Sequence, residues 1–163
     1  MDVLDEELIR FWRILNQCNL KYIMVGGLAV RFQGFNRATD DLDMWIHDTS
    51  VNRKCLRNAF NELGYGDLPE IETMQIVPGF TSFHAAGIVL DLFTEMPGLD
   101  HLTFDECYAQ ASVAHLEDVE VRFLHLNHLL LNKQKLNRPK DQIDIEYLNR
   151  IKALKAIKDN DKL

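Results

Sequence analysis

The 163-residue sequence predicts an α/β (α+β) protein: a small mixed β-sheet flanked by helices, with further helices at the C-terminus. Three observations predict it. Apolar runs of strand length (Tyr22-Ile23-Met24-Val25, residues 41–46, residues 88–93 and residues 119–124) are bounded by glycine, asparagine, aspartate or proline. Stretches with apolar residues at helical spacing lie before, between and after these runs. Hydrophobic residues make up 47% of the chain, enough for one packed core at this length. The chain therefore reads as a single domain, with a core over about 20–124 and a helical part over about 125–158.

Leu4, Leu8, Phe11, Trp12 and Leu15 predict an amphipathic helix over 4–17. Gly26-Gly27 ends the first strand and turns the chain into a short helix over 28–33, closed by Gly34. Asp48 or Ser50 caps a helix running to about Leu63. After a turn-rich stretch, strands are expected at 73–77, 81–85 and 88–93, punctuated by Pro78-Gly79 and Ala86-Gly87. Thr103, with Glu106 three residues on, predicts a capped helix over 104–110. Residues 119–124 alternate as a last strand. From His125 to Lys158 the pattern is helical, broken at Arg138-Pro139, with Pro139 in the first turn of the final helix.

A net charge of −7 gives the whole surface no nucleic-acid footprint, although a local basic cluster stands near the C-terminus. No apolar run approaches the roughly 18 residues of a membrane helix, and the acidic Met1–Glu7 stretch is unlike a signal peptide. Cys18, Cys55 and Cys107 are scattered, as expected of reduced thiols in a cytoplasmic protein, and no pair has zinc-knuckle spacing.

Asp41 and Asp43 lie two apart on a strand, so their carboxylates point to one face. Such a pair can share a divalent metal or bridge two. Asp91 is embedded in an apolar run, where an unpaired carboxylate is costly and calls for a metal, a cation or hydrogen bonds. The Gly26-Gly27 turn lets backbone approach phosphate, and the helix after it offers free N–H groups. Lys133, Lys135, Arg138 and Lys140 crowd into eight residues. They read either as phosphate-facing cations or as a solvated helix end. His125 and His128 read as a helix cap or surface pair, Trp12 and Trp45 as packing. Asp40 alternates away from Asp41 and reads as a hydrogen-bonding or solvated residue.

The run Val25-Gly26-Gly27-Leu28-Ala29-Val30, then Gly34, Arg37, Thr39 and Asp41-Leu42-Asp43-Met44, resembles the nucleotidyltransferase superfamily of the polymerase-β type. In that superfamily a Gly-Gly or Gly-Ser turn precedes an Asp-x-Asp, and a third acidic residue follows, where Asp91 stands here. The likeness extends to small bacterial AbiEii-like toxin nucleotidyltransferases, with Lys133, Lys135 and Arg138-Pro139-Lys140-Asp141 as the late motif. The resemblance implies transfer of a nucleoside monophosphate from an NTP, foremost ATP, to an acceptor hydroxyl, with release of pyrophosphate. It implies two Mg²⁺ ions, with Asp41 and Asp43 as ligands and Asp91 as third ligand or base. Gly26 and Gly27 would hold the triphosphate; Arg37 and Thr39 would reach phosphate or steady their loop; Lys133 and Lys140 would contact nucleotide. Asp141 and Asp144 would pair with these cations or with Arg37 and Arg150. The acceptor is left open between tRNA, a protein and a small molecule such as an antibiotic, and an antitoxin partner is part of the likeness. A different class, a non-catalytic nucleotide-binding or protein-interaction module on the same fold, is the alternative.

Overall fold

In the computed structural model, which describes residues 5–79, 81–85 and 88–160, the buried apolar runs pair into one six-stranded sheet. The strands are β1 (Tyr22–Met24), β2 (Asp41–Ile46), β3 (Ser82–Ala85), β4 (Ile88–Phe93), β5 (Ser112–Leu116) and β6 (Val119–Phe123). Their order across the sheet is β3-β4-β2-β1-β6-β5. β2 runs parallel to β4, β1 parallel to β6, and the other neighbours are antiparallel. The sheet is therefore mixed, as the sequence predicts. Leu4 and the Ala86-Gly87 turn lie outside the described residues.

Among the described residues six α-helices accompany the sheet: α1 (Glu6–Gln17), α2 (Gly26–Phe32), α3 (Ser50–Glu62), α4 (Phe104–Gln110), α5 (Leu126–Leu136) and α6 (Pro139–Asn160). Asp5 caps α1 by accepting from Glu7 N–H at 3.0 Å, with Glu6 and Glu7 favouring the positive helix end. Leu8, Phe11, Trp12 and Leu15 then enter the core together. The expected capping box is present on α4: Thr103 Oγ1 accepts from Glu106 N–H, and Glu106 accepts from Thr103 N–H. His125 caps α5 through its Nδ1, and Asn137, in the left-handed region at φ 51°, ends that helix before Pro139 opens α6. Trp12 and Trp45 are both core residues. Among the described residues no helix is long and apolar enough to cross a membrane.

The structure departs from the sequence reading at five places. The cap of α3 is Thr49, whose hydroxyl accepts from Asn52 N–H; Asp48 is taken by Arg53 Nε at 2.6 Å and Ser50 is already helical. Helix α2 begins at Gly26 itself, so the glycine pair is its first turn. β5 has no clear signal, because Ser112-Val113-Ala114-His115-Leu116 is a half-exposed edge in which Val113 alone is a strong strand former. Asp40 is exposed as expected, but it precedes β2, so alternation does not turn it away, and it lines the same cleft as Asp41. Finally, residues 73–77 form no strand.

The last difference has a physical cause in a buried arginine. A 3-10 turn over Pro69–Glu72 continues into Thr73 and Met74, whose N–H groups both donate to Glu70 O. Arg53, 8% exposed, then takes the Ile71 and Met74 carbonyls with Nη1 at 3.0 and 2.7 Å. Backbone acceptors that a neighbouring strand would have used are thus satisfied by a side chain. Arg53→Met is expected to lower the unfolding free energy by about 1–3 kcal/mol, because it leaves the buried Ile71 carbonyl and the part-buried Met74 carbonyl without their donor. Urea denaturation would read this; a loss under about 0.5 kcal/mol would show that water replaces the guanidinium.

Candidate active site

Parallel pairing of β2 and β4 sets Asp43 directly opposite Asp91, and Asp41 lies two residues earlier on the same face. One carboxylate oxygen from each of Asp41, Asp43 and Asp91 falls within 4.8 Å of the others. Thr39 Oγ1 donates to Asp41 Oδ1 at 2.7 Å, and Ser82 Oγ donates to Asp91 Oδ1, which orients one oxygen of each carboxylate. Asp43 is half-buried, and its pKa is pushed up to about 6. Burial is the main cause, followed by the charges of Asp41 and Asp91, while Lys133 and Lys140 pull it down.

The end of β1 brings the glycine turn onto this cluster. Val25 N–H donates to the Asp43 carbonyl at 2.9 Å. Gly26 follows at φ +61°, where a Cβ would come within 1.8 Å of Asp43 Oδ2. A Cβ on Gly27 would lie 2.1 Å from Arg37 Nη1 and 2.8 Å from Thr39 Oγ1. The glycines are thus required by what packs on them as much as by the turn.

The opposite wall comes from α5 and α6. Lys133 is 1% exposed; its Nζ lies 3.2 Å from Asp141 Oδ1 and 2.9 Å from Asp144 Oδ2. Arg138 closes on Asp141 with Nε at 2.7 Å. Burial by itself would raise the Asp141 pKa, but the Arg138 side-chain and backbone donors and Lys133 outweigh it and hold it at about 2. Arg150 pairs with Glu146 instead of with Asp144.

One cleft of about 730 Å³ gathers these parts. Gly26, Gly27, Arg37, Thr39, Asp41, Asp43, Asp91, Lys133 and Lys140, separated by over 100 residues of chain, all line it. Ser82 and Asn132 were not singled out from sequence. Ser82 could be found only from the antiparallel register that sets it opposite Asp91. Asn132, 3% exposed, holds the Pro97 carbonyl at 3.0 Å and the 96–97 turn against the cleft. Asn132 carries no signal in the sequence, because the Pro97 carbonyl it meets lies 35 residues away in the chain.

A hard divalent cation fits this donor set. Three strand carboxylates converge, two have one oxygen already oriented by a hydroxyl, and the ionised form of the third is disfavoured by burial and by its neighbours' charge.

A mixed sheet whose strand carboxylates face a glycine turn at a helix start has the architecture of the nucleotidyltransferase-type proteins. Residues 5–162 match the family described as a nucleotidyl transferase of unknown function (DUF2204), and the chain belongs to that family. The comparison with curated proteins gives no match. Among solved structures, the chain is similar to an antigenic nucleotidyltransferase-like protein from Paracoccidioides brasiliensis. That likeness has a TM-score of 0.56 at 17% identity and covers 94% of this chain and 77% of that one, which establishes the common fold.

Proposed function

We propose that this protein is a Mg²⁺-dependent nucleotidyltransferase that transfers NMP from an NTP, foremost ATP, to an acceptor hydroxyl. The acceptor oxygen forms a new bond to the α-phosphorus, the bond from that phosphorus to the β-phosphate bridge breaks, and pyrophosphate leaves with the electron pair. The observation that carries the reading is the convergence of Asp41, Asp43 and Asp91 in the same cleft as the Gly26-Gly27 turn.

Asp41, Asp43 and Asp91 would hold the metal, which when bound supplies charge neutralisation for the phosphates and a more acidic acceptor hydroxyl. Thr39 and Ser82 orient Asp41 and Asp91. The free N–H groups at the start of α2 offer donors to phosphate oxygens, which the missing glycine side chains leave accessible. Arg37 lies beside that turn, and Arg138 and Lys140 add positive charge from the facing wall. Asp91, whose Oδ1 accepts from Ser82, would serve as third ligand or as base for the acceptor proton.

The experiment is pyrophosphate release from ATP with Mg²⁺, with wild type set against Asp41→Ala/Asp43→Ala and with RNA, protein and hydroxylated small molecules as acceptors. We expect release in wild type and none in the double variant. ATP binding without release under every condition would favour the non-catalytic module. The narrower kinship with AbiEii-like toxins, together with an antitoxin partner and a cytoplasmic site of action, belongs to the same proposal. It predicts growth arrest on expression of wild type and not of the double variant.

A further inference from the structure

The loop over residues 34–40 carries Arg37 and Thr39 to the cleft, and side-chain contacts tie it to α6. Phe35 stacks on Tyr147, with centroids 3.8 Å apart and planes at 12°. Arg37 Nε lies 3.0 Å from Asp144 Oδ1. Asp144 is fully buried, and its other oxygen faces Lys133. Neither contact is an aligned N–H···O bond, so Asp144 is held by two cations rather than by directed hydrogen bonds. Lys133 in turn is shared with Asp141, which Arg138 grips from the start of α6. A continuous chain of alternating charge, Arg37–Asp144–Lys133–Asp141–Arg138, therefore runs from the loop through α6 to α5 and back to the helix break.

The geometry points to Asp144 as a positioning residue for Arg37. The guanidinium of Arg37 occupies the space over Gly27 that a Cβ would need, directly beside the first N–H groups of α2. Its side chain is 19% exposed, so solvent-facing rotamers compete with this one. The Asp144 carboxylate, itself fixed by Lys133, selects the rotamer that puts the remaining guanidinium donors into the cleft. Lys133 is then a buried hub whose charge is already shared between two carboxylates, and its part in nucleotide binding runs through Asp144 and Arg37. The loop and the C-terminal helices act as one unit in holding a phosphate chain.

This inference rests on the cleft being a nucleotide site, and the experiment separates the two. Binding of Mg²⁺·ATP and of AMP is measured by calorimetry for wild type, Asp144→Asn, Arg37→Gln and the pair combined. Asp144→Asn is expected to weaken ATP about tenfold, the scale of an orienting partner lost behind a contact residue, with AMP affinity unchanged. Adding Asp144→Asn to Arg37→Gln is expected to cost nothing more for ATP. A merely structural clasp would weaken both nucleotides or lower stability without changing the ATP-to-AMP ratio, and that result overturns the assignment. Additive losses overturn it as well. If Asp144→Asn does not fold, Lys133→Met/Asp144→Asn removes that pair's charges together and serves in its place. A wild type that binds neither nucleotide overturns the proposed function and this inference with it; a wild type that binds ATP while Asp144→Asn binds equally overturns this inference alone.

Discussion

Asp43→Asn is expected to make the metal-free protein more stable while abolishing nucleotidyl transfer. The Asp43 carboxyl has a pKa of about 6 against an ordinary 3.8, so the folded chain holds its proton more tightly than the unfolded chain does. Stability linked to this group is therefore fully present below about pH 4 and is lost as pH rises through about 6. Above that, an ionised Asp43 costs the fold on the order of 2–3 kcal/mol, set by burial and by its two acidic neighbours. Asparagine keeps the shape and removes the charge. In EDTA at pH 7.5 the variant should melt above wild type, and the gap should close as pH falls below about 4. With Mg²⁺ the order should reverse, since wild type alone gains the ligand's stabilisation. Transfer should fall roughly 1000-fold or more, about 4 kcal/mol of lost transition-state stabilisation. A metal-free variant that melts at or below wild type would show that neither burial nor the neighbouring carboxylates make ionised Asp43 costly to the fold.

The same cluster shows what a single sequence can and cannot disclose. Asp41 and Asp43 were legible because a strand alternates, and that periodicity is local. Asp91 was legible as a carboxylate out of place among apolar residues. That Asp91 stands opposite Asp43 was not, since the parallel register joins strands 48 residues apart (91 − 43) and depends on the sheet as a whole. The basic cluster near residue 138 showed its charge but not its orientation. Which cations meet solvent and which meet Asp141 or Asp144 is decided by the crossing of α5 and α6, and Lys133 proved fully buried. Residues 73–77 have strand propensity that lost to Arg53, a tertiary contact outside the reach of any local window. Gly26 was read as a turn, and its φ of +61° agrees. That the void beside it belongs to a carboxylate oxygen is a fact of packing.

That void makes Gly26→Ala the second large effect. Two costs fall on the new methyl group. The left-handed backbone at φ +61° penalises any Cβ by about 1–2 kcal/mol. The methyl would also stand 1.8 Å from Asp43 Oδ2, 2.6 Å from its Cγ and 2.9 Å from its Cβ, so the whole carboxylate must leave its place. Gly64 separates the two costs: its φ is +93° and nothing lies within 4 Å of its would-be Cβ. Gly64→Ala is expected to lose about 1 kcal/mol of stability with transfer and Mg²⁺ affinity intact. Gly26→Ala should lose at least as much stability, and transfer should fall roughly 100-fold or more because Asp43 no longer faces Asp91. It should thus share with Asp43→Asn a large loss of activity and oppose it in stability, a combination that neither general unfolding nor a simple loss of charge produces. Gly27→Ala makes a milder third case, because the group it displaces is the end of the flexible Arg37 side chain. Mg²⁺-dependent melting and pyrophosphate release across the three alanine variants would check the order. Wild-type transfer by Gly26→Ala would mean that Asp43 reaches its working position by a path the glycine does not control.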